Sequence, residues 1–136
     1  MEELDPRFRG GRNTTMAEAL GMELLEVAEG KVILTMPVDA RTHQPYGLLH
    51  GGASVALAET AASIGGWRLV MEEGKVVVGQ EINANHLRSV RTGKVKAVAQ
   101  ILHQGRTSQV WEIKIYDEAE RMVCISRCTL AVIEPR

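Results

Sequence analysis

The hydrophobic period of the chain changes twice. Over Met22 to Val38 apolar residues alternate with polar ones in two runs, Met22/Leu24 and Val32/Leu34/Met36/Val38, on either side of Glu29-Gly30. Alternation broken by a glycine turn predicts a β-hairpin. Pro37 and Pro45 then bracket a loop, Asp39 to Leu49. The stretch Gln44 to Trp67, QPYGLLHGGASVALAETAASIGGW, gives up alternation for small and apolar residues on every side, which predicts a long buried helix entered through His50-Gly51-Gly52. Glu72-Glu73-Gly74-Lys75 reads as a turn, and alternation returns in four further runs: Val76 to about Arg88, Val95/Ala97/Ala99/Ile101 beside Lys94/Lys96, Gln109/Trp111/Ile113/Ile115, and Met122 to Ile133. Gln104-Gly105-Arg106 and Asp117 to Glu120 are the polar turns between the last three. Ahead of the hairpin, Asn13, Thr14 and Thr15 offer caps for a short helix from Met16 to Leu20 that Gly21 ends. Residues 1–13, charged and glycine-bearing, read as a flexible N-terminal arm.

The predicted order is therefore hairpin, long helix, then four antiparallel strands joined by tight turns, in a single domain over residues 14–136. A helix of about 20 residues is roughly 30 Å long. Strands of about nine to ten residues, at about 3.3 Å each, have the same length. One helix lying across the concave face of a curled antiparallel sheet of about six strands satisfies both, an α+β roll. Ala53, Ala56, Ala58, Ala61, Ala62, Gly65 and Gly66 let the sheet wrap the helix closely.

Charge and composition narrow the partners. With 16 basic and 17 acidic residues in 136, no polybasic field exists of the kind that nonspecific nucleic-acid binding needs. No apolar window is long enough for a membrane span, and the first twenty residues lack the apolar core of a secretory leader. A cytoplasmic protein that binds neither nucleic acid nor membrane is expected. Cys124 and Cys128 fall on one face of the last strand and read as core thiols. His43, His50, His86 and His103 match no metal-ligand spacing, so no metal site is expected.

Candidate chemistry begins with Glu59, the only ionisable side chain between His50 and Arg68. Its helical neighbours Val55, Ala56, Ala62 and Ser63 supply no cation. Either it reaches solvent through a gap, or it is buried with the helix and serves a function; the apolar flanks favour the second. Burial raises a carboxylate pKa toward neutrality, which suits a base that takes a proton from water. Gly51 and Gly52 open the helix, where free N–H groups and the helix dipole stabilise a developing oxyanion, although two glycines also simply make a tight corner. Ser63 shares the helical face of Glu59, as a polar partner or as a packing serine bonded back to the preceding turn. Ile64 is a candidate branched wall for an acyl group, while Trp67 and Trp111 read as core. Gly51 and Glu59 are eight residues apart on one helix, roughly 12 Å. One reacting carbonyl cannot easily reach both in one chain, so a site using both is expected at a subunit interface. The Val76 to Arg88 strand is the expected seam.

Three segments, MPVDARTHQPYGLLHGGASVALAET at 36–60, GQEINANHLRSVRTGKV at 79–95 and QVWEIKIYDE at 109–118, together resemble the hotdog-fold acyl-CoA thioesterases. The likeness is to the PaaI-like branch, which holds the proofreading thioesterase of enterobactin synthesis and the dihydroxynaphthoyl-CoA thioesterase of menaquinone synthesis. It covers the chain from Leu20 onward. It implies hydrolysis of an acyl-CoA, with an aromatic acyl group favoured and acyl-carrier-protein thioesters as further candidates, and no cofactor besides the CoA of the substrate. By resemblance Glu59 is the general base or the nucleophile. His50 and Gln44 bind and orient the thioester oxygen, the Gly51 N–H polarises it, and Ser63 partners the water or the carboxylate. His86 is implied in the acyl pocket, and Arg88, Ser89, Arg91, Gly105 and Arg106 in contact with the nucleotide and pantetheine arm. The resemblance also implies a homodimer or a dimer of dimers.

Two other functions fit an acyl-thioester groove. A hotdog hydratase or dehydratase needs a His facing an acid across the substrate, whereas His50 precedes the helix that carries Glu59. A noncatalytic acyl-CoA-binding module leaves Glu59 without a purpose.

Overall fold

The computed structural model describes residues 15–135; the expected arm over residues 1–13 and the candidate caps Asn13 and Thr14 lie outside that range. Thr15 caps α1 (Met16–Ala19), its hydroxyl accepting the Glu18 N–H at 3.2 Å. Leu20 is the C-cap, and Gly21, at φ +74°, turns the chain into the hairpin β1 (Glu23–Ala28) and β2 (Lys31–Pro37). Gly30 supplies the positive φ that the hairpin turn requires. The central helix α2 spans Gly51–Val70, and a single 3₁₀ turn, Met71–Glu73, leads to the left-handed Gly74 where the turn was expected. The remaining strands are β3 (Val76–His86), β4 (Lys94–Gln104), β5 (Ser108–Tyr116) and β6 (Met122–Ile133).

All six strands form one antiparallel sheet in the order β1-β2-β4-β5-β6-β3. This corrects one expectation. Four strands joined by tight turns would set β3 beside β4, whereas β3 pairs with β6 at the far edge and Leu87–Gly93 crosses back over the end of the sheet. Crossing three strand spacings takes about 14 Å, and seven extended residues reach about 23 Å. The crossing is tied down by Leu87 N–H to Val123 O (2.8 Å) and Leu49 N–H to Val90 O (2.8 Å), with the Val90 side chain buried. The sequence expectation also ran β3 on to Arg88; it ends at His86.

The inner face of the sheet and one side of α2 make the core. On the central strand β5 the alternation is regular, with Gln109, Trp111, Ile113 and Ile115 all at zero exposure. Opposite them lie Leu57, Ala58, Ala61, Ala62 and Ile64 of the helix. The sheet comes closest at Gly65 and Gly66: a Cβ on Gly65 would run into the Trp111 ring, and one on Gly66 would lie 2.5 Å from Leu130 Cδ1. Cys124 and Cys128 are buried free thiols on that inner face, as expected, and burial together with the Glu59 and Glu81 carboxylates pushes Cys128 up to about 12.

Gly65→Ala tests the close approach. Alanine in a helix is normally worth about 1 kcal/mol over glycine, but a methyl forced into a packed core costs about 1–3 kcal/mol. A net loss of up to about 2 kcal/mol in urea unfolding is expected. Asp117 gives a second test. It accepts the N–H groups of Arg121 (2.9 Å) and Ala119 (3.0 Å) and Arg121 Nε–H (2.9 Å), and these bonds, that from the Arg121 backbone first, hold its carboxyl below the usual range. A folded pKa below the unfolded value, about 3.9, gives stability that is present above that pH and lost as pH falls through the folded value. Asp117→Asn is therefore expected to lower stability at neutral pH and to flatten the acid limb of a stability-versus-pH titration.

Candidate active site

The loop that enters α2 is held at several points before it carries any chemistry. Thr42 Oγ donates to Pro37 O (2.8 Å), and Asp39 takes the Arg41 guanidinium in two hydrogen bonds, at 2.7 and 3.1 Å. His50 N–H reaches Thr42 O (2.8 Å), and the His43 ring nitrogen Nε2 lies 2.8 Å from Arg91 O. Within this frame Gln44 N–H bonds Leu48 O (2.8 Å), and left-handed Gly47 closes back on Gln44 O (3.0 Å). The Gln44 side-chain oxygen accepts the N–H groups of Tyr46 and Leu48. With its oxygen committed to the loop, Gln44 has its amide NH₂ left to donate.

His50 is the N-cap of α2. Its Nδ1 accepts the Gly52 N–H at 2.8 Å, which puts the proton of the neutral ring on Nε2, at an exposed position. The Gly51 N–H, at the first helical position, has no intrahelical acceptor. His86, at the end of β3, lies over Gly51 so closely that a Cβ there would be 2.9 Å from its Nε2. Gly51 and His86 face a cleft of about 390 Å³ whose polar lining is Gln44, Gly51, Ser54, His86, Arg88 and Ser89 and whose apolar lining is Leu48, Leu49, Leu87 and Val123; His50 adjoins Gly51 but is not in that lining. Ser54 was not a sequence candidate. It is buried, three residues on from Gly51 and therefore on the same helical face.

Glu59 is elsewhere. It is half-buried rather than buried as expected, and it forms no ion pair or hydrogen bond within the described residues. Its carboxylate lies against Gly79 of the edge strand β3, outside the lining of the cleft. Ser63 is half-buried one turn further on; the hydroxyl that bonds back to the preceding turn is that of Thr60, to Ala56 O at 2.7 Å. Ile64 is not in the cleft: it belongs to the core, at 4% exposure. Arg91 is exposed on the crossing segment and does not line the cleft. Gly105 and Arg106 sit in the β4–β5 turn, at the end of the sheet where Ser108 faces Ala131, whereas His86 faces Cys124 at the other end. One chain thus gathers Gln44, Gly51, His86, Arg88 and Ser89 beside His50, and holds Glu59 and Ser63 apart from them.

The thioesterase superfamily model matches residues 46–124. The chain belongs to the thioesterase superfamily. Its fold is the hotdog of that family, one long helix packed in a six-stranded antiparallel sheet. The 1,4-dihydroxy-2-naphthoyl-CoA hydrolase of Listeria monocytogenes is 50% identical over 121 residues, 89% of this chain and 98% of that protein. The proofreading thioesterase EntH of Cronobacter turicensis is 54% identical over 119 residues, 88% of this chain and 86% of that one. The thioesterase SAV0944 of Staphylococcus aureus superposes with a TM-score of 0.86 at 39% identity, covering 90% of this chain and 100% of that one. Two crystal structures of that protein carry alanine in place of a glutamine and of a glutamate, respectively, separated by the same interval as Gln44 and Glu59.

The capping role of His50 can be tested by itself. His50→Ala is expected to destabilise the fold by about 1 kcal/mol through the lost cap, and His50→Asn to restore it, since asparagine caps as well as any residue. Thermal unfolding of the two variants measures the difference. Neither restores a ring Nε2–H.

Proposed function

We propose that this protein hydrolyses the thioester of an aromatic acyl-CoA to the free acid and CoA, with the site completed by a second copy of the chain. The reading is carried by one observation: the Gly51 N–H and the Glu59 carboxylate lie on the same helix, yet only Gly51 lines the cleft. Of the two sheet edges, β1 is six residues long, bulged at Leu25 and flanked by exposed Glu23 and Glu26. Such features blunt an edge. β3 also carries a bulge, at Gln80, and an exposed Glu81, but it is eleven residues long and exposed from Val78 to Glu81, so it offers nearly twice the length to pair. Antiparallel pairing of two β3 strands about a two-fold axis lays the Gly79 half of one beside the His86 half of the other. The carboxylate of one copy then approaches the cleft of its neighbour, and the distant Gly105 and Arg106 turn swings toward Arg88 and Ser89 of that neighbour.

In the assembled site the thioester oxygen accepts from the Gly51 N–H, with Gln44 Nε2 and His50 Nε2–H as further donors. Glu59 acts in one of two ways. As a base it takes a proton from water, the hydroxide adds to the carbonyl carbon, and the oxyanion collapses with loss of CoA thiolate, which recovers the proton. As a nucleophile it displaces CoA directly and gives a mixed anhydride that water opens. Neither route uses a metal or cofactor. The named substrate of the Listeria relative supports an aromatic acyl group, and the imidazole of His86 in the cleft lining is available to a ring substituent. No helix among the described residues is long and apolar enough to cross a membrane. The two reduced thiols fit a cytoplasmic location, and carrier-protein thioesters are secondary substrates on this reading.

Thiol release from a panel of aromatic and aliphatic acyl-CoAs, wild type against Glu59→Gln, tests the proposal. Loss of about 10²–10⁴-fold in kcat is expected for the variant, with benzoyl-type thioesters the better substrates. Equal rates would remove the role of Glu59. Binding of acyl-CoA without release by the wild type would make the protein a binding module instead.

A further inference from the structure

The Glu59 carboxylate rests on a stretch of backbone that has no side chain. An ideal Cβ on Gly79 would lie 2.5 Å from Glu59 Oε2 and 2.9 Å from its Cδ, inside any nonbonded approach. Nothing else in the structure calls for glycine there. Gly79 is not among the residues with a left-handed φ, unlike Gly21, Gly30, Gly47, Gly74 and Gly93. It is exposed on an edge strand, unlike Gly65 and Gly66, which are buried against the core. The pairing of β3 with β6 also slips at this point: Gly79 faces Leu130 and Glu81 faces Thr129, so Gln80 is an extra residue that bends the edge where the carboxylate lies.

We propose that Gly79 is a positioning residue for Glu59, its bare backbone and the adjoining bulge at Gln80 forming a seat that holds the carboxylate at the open edge of the sheet. A glutamate on a helix has three side-chain torsions, and among the described residues no ion pair or hydrogen bond fixes those of Glu59. The seat does so by shape. Only the far end of a flexible side chain opposes a Cβ at Gly79, so a methyl there is cheap for the fold but displaces the group that must meet the thioester. Misplacing a reacting group by about 1 Å costs about 10²-fold in rate. The inference rests on the role proposed for Glu59.

The test is a double-variant cycle on the full chain, with Gly79→Ala, Glu59→Asp and the two combined, using the best acyl-CoA of the panel. Gly79→Ala is expected to keep the solution mass of the wild type and a melting temperature within about 3 °C of it. Its kcat falls about 10²-fold while KM stays within about 2-fold. In the Glu59→Asp background, where the carboxylate ends one methylene short of the seat, the alanine costs less than about 3-fold. An unchanged kcat in Gly79→Ala, the same loss in both backgrounds, or loss of activity through a fall in solution mass would each overturn the proposal. If Gly79→Ala does not fold, melting in the Glu59→Ala background decides: with no carboxylate left to displace, adding Gly79→Ala leaves the melting temperature unchanged, and a drop there overturns the seat. Glu59→Gln in the same assay keeps the two readings apart. Full activity in that variant sinks the role of Glu59 itself, whereas an inactive Glu59→Gln beside a fully active Gly79→Ala removes the seat alone.

Discussion

The close approach of Gly65 and Gly66 to β5 and β6 fixes how the central helix lies on the sheet. Gln109, at zero exposure, donates from its amide to Gly66 O (3.2 Å) and accepts Trp111 Nε1–H (2.9 Å), so the polar atoms that this contact buries satisfy one another. Neither glycine can carry a side chain without entering Trp111 or Leu130. A buried amide that has one productive arrangement resists sliding or rotation of the helix, since either would leave it unpaired at a cost of about 1–3 kcal/mol. With the far half of α2 held in this way, the near half has little freedom. Gly51 comes to rest under His86, and Glu59 comes to rest over Gly79.

A rigid helix then imposes the division of labour. Donors that polarise a carbonyl are available at a helix start, because only there are backbone N–H groups free. An unpaired carboxylate is tolerated further along only where the helix runs beside an open edge, because burial of a lone charge in the core is too costly. The eight residues between Gly51 and Glu59 separate the two by roughly 12 Å, and no side-chain rotation closes that distance. In the proposed two-fold pair along β3, a second copy would close it without altering either half.

Much of this was legible in the residues, and what was not has physical reasons. The switch from period 2 to an all-apolar run and back marked the helix and strands, and Gly30 and Gly74 marked turns that need positive φ. The partner of β3 was illegible: nothing local in Leu87–Gly93 distinguishes a hairpin from a crossing, and the decision rests on Val90 filling the core and on Val123 O accepting from Leu87 and Arg88. The exposure of Glu59 was misjudged because apolar neighbours on every side suggest burial on every side, whereas one flank of α2 faces an edge strand that is open in the single chain. Ile64 was misplaced for a reason that periodicity contains. Five residues on from Glu59, it lies about 140° around the helix, on the side that packs against the sheet. Ser63, at about 40°, keeps the face of Glu59.

The open edge also bears on the electrostatics of the proposed reaction. In the single chain the Glu59 side chain is half-buried beside the open edge. A hydrated carboxylate must shed water before it reacts. In the proposed pair, the second β3 would cover this edge at the step that brings the cleft of the other copy within reach, so desolvation and substrate alignment would arise from one event. The energy required to dry the charge then comes from strand pairing, not from folding. The seat at Gly79 ensures that the carboxylate is already at the edge when the second strand arrives.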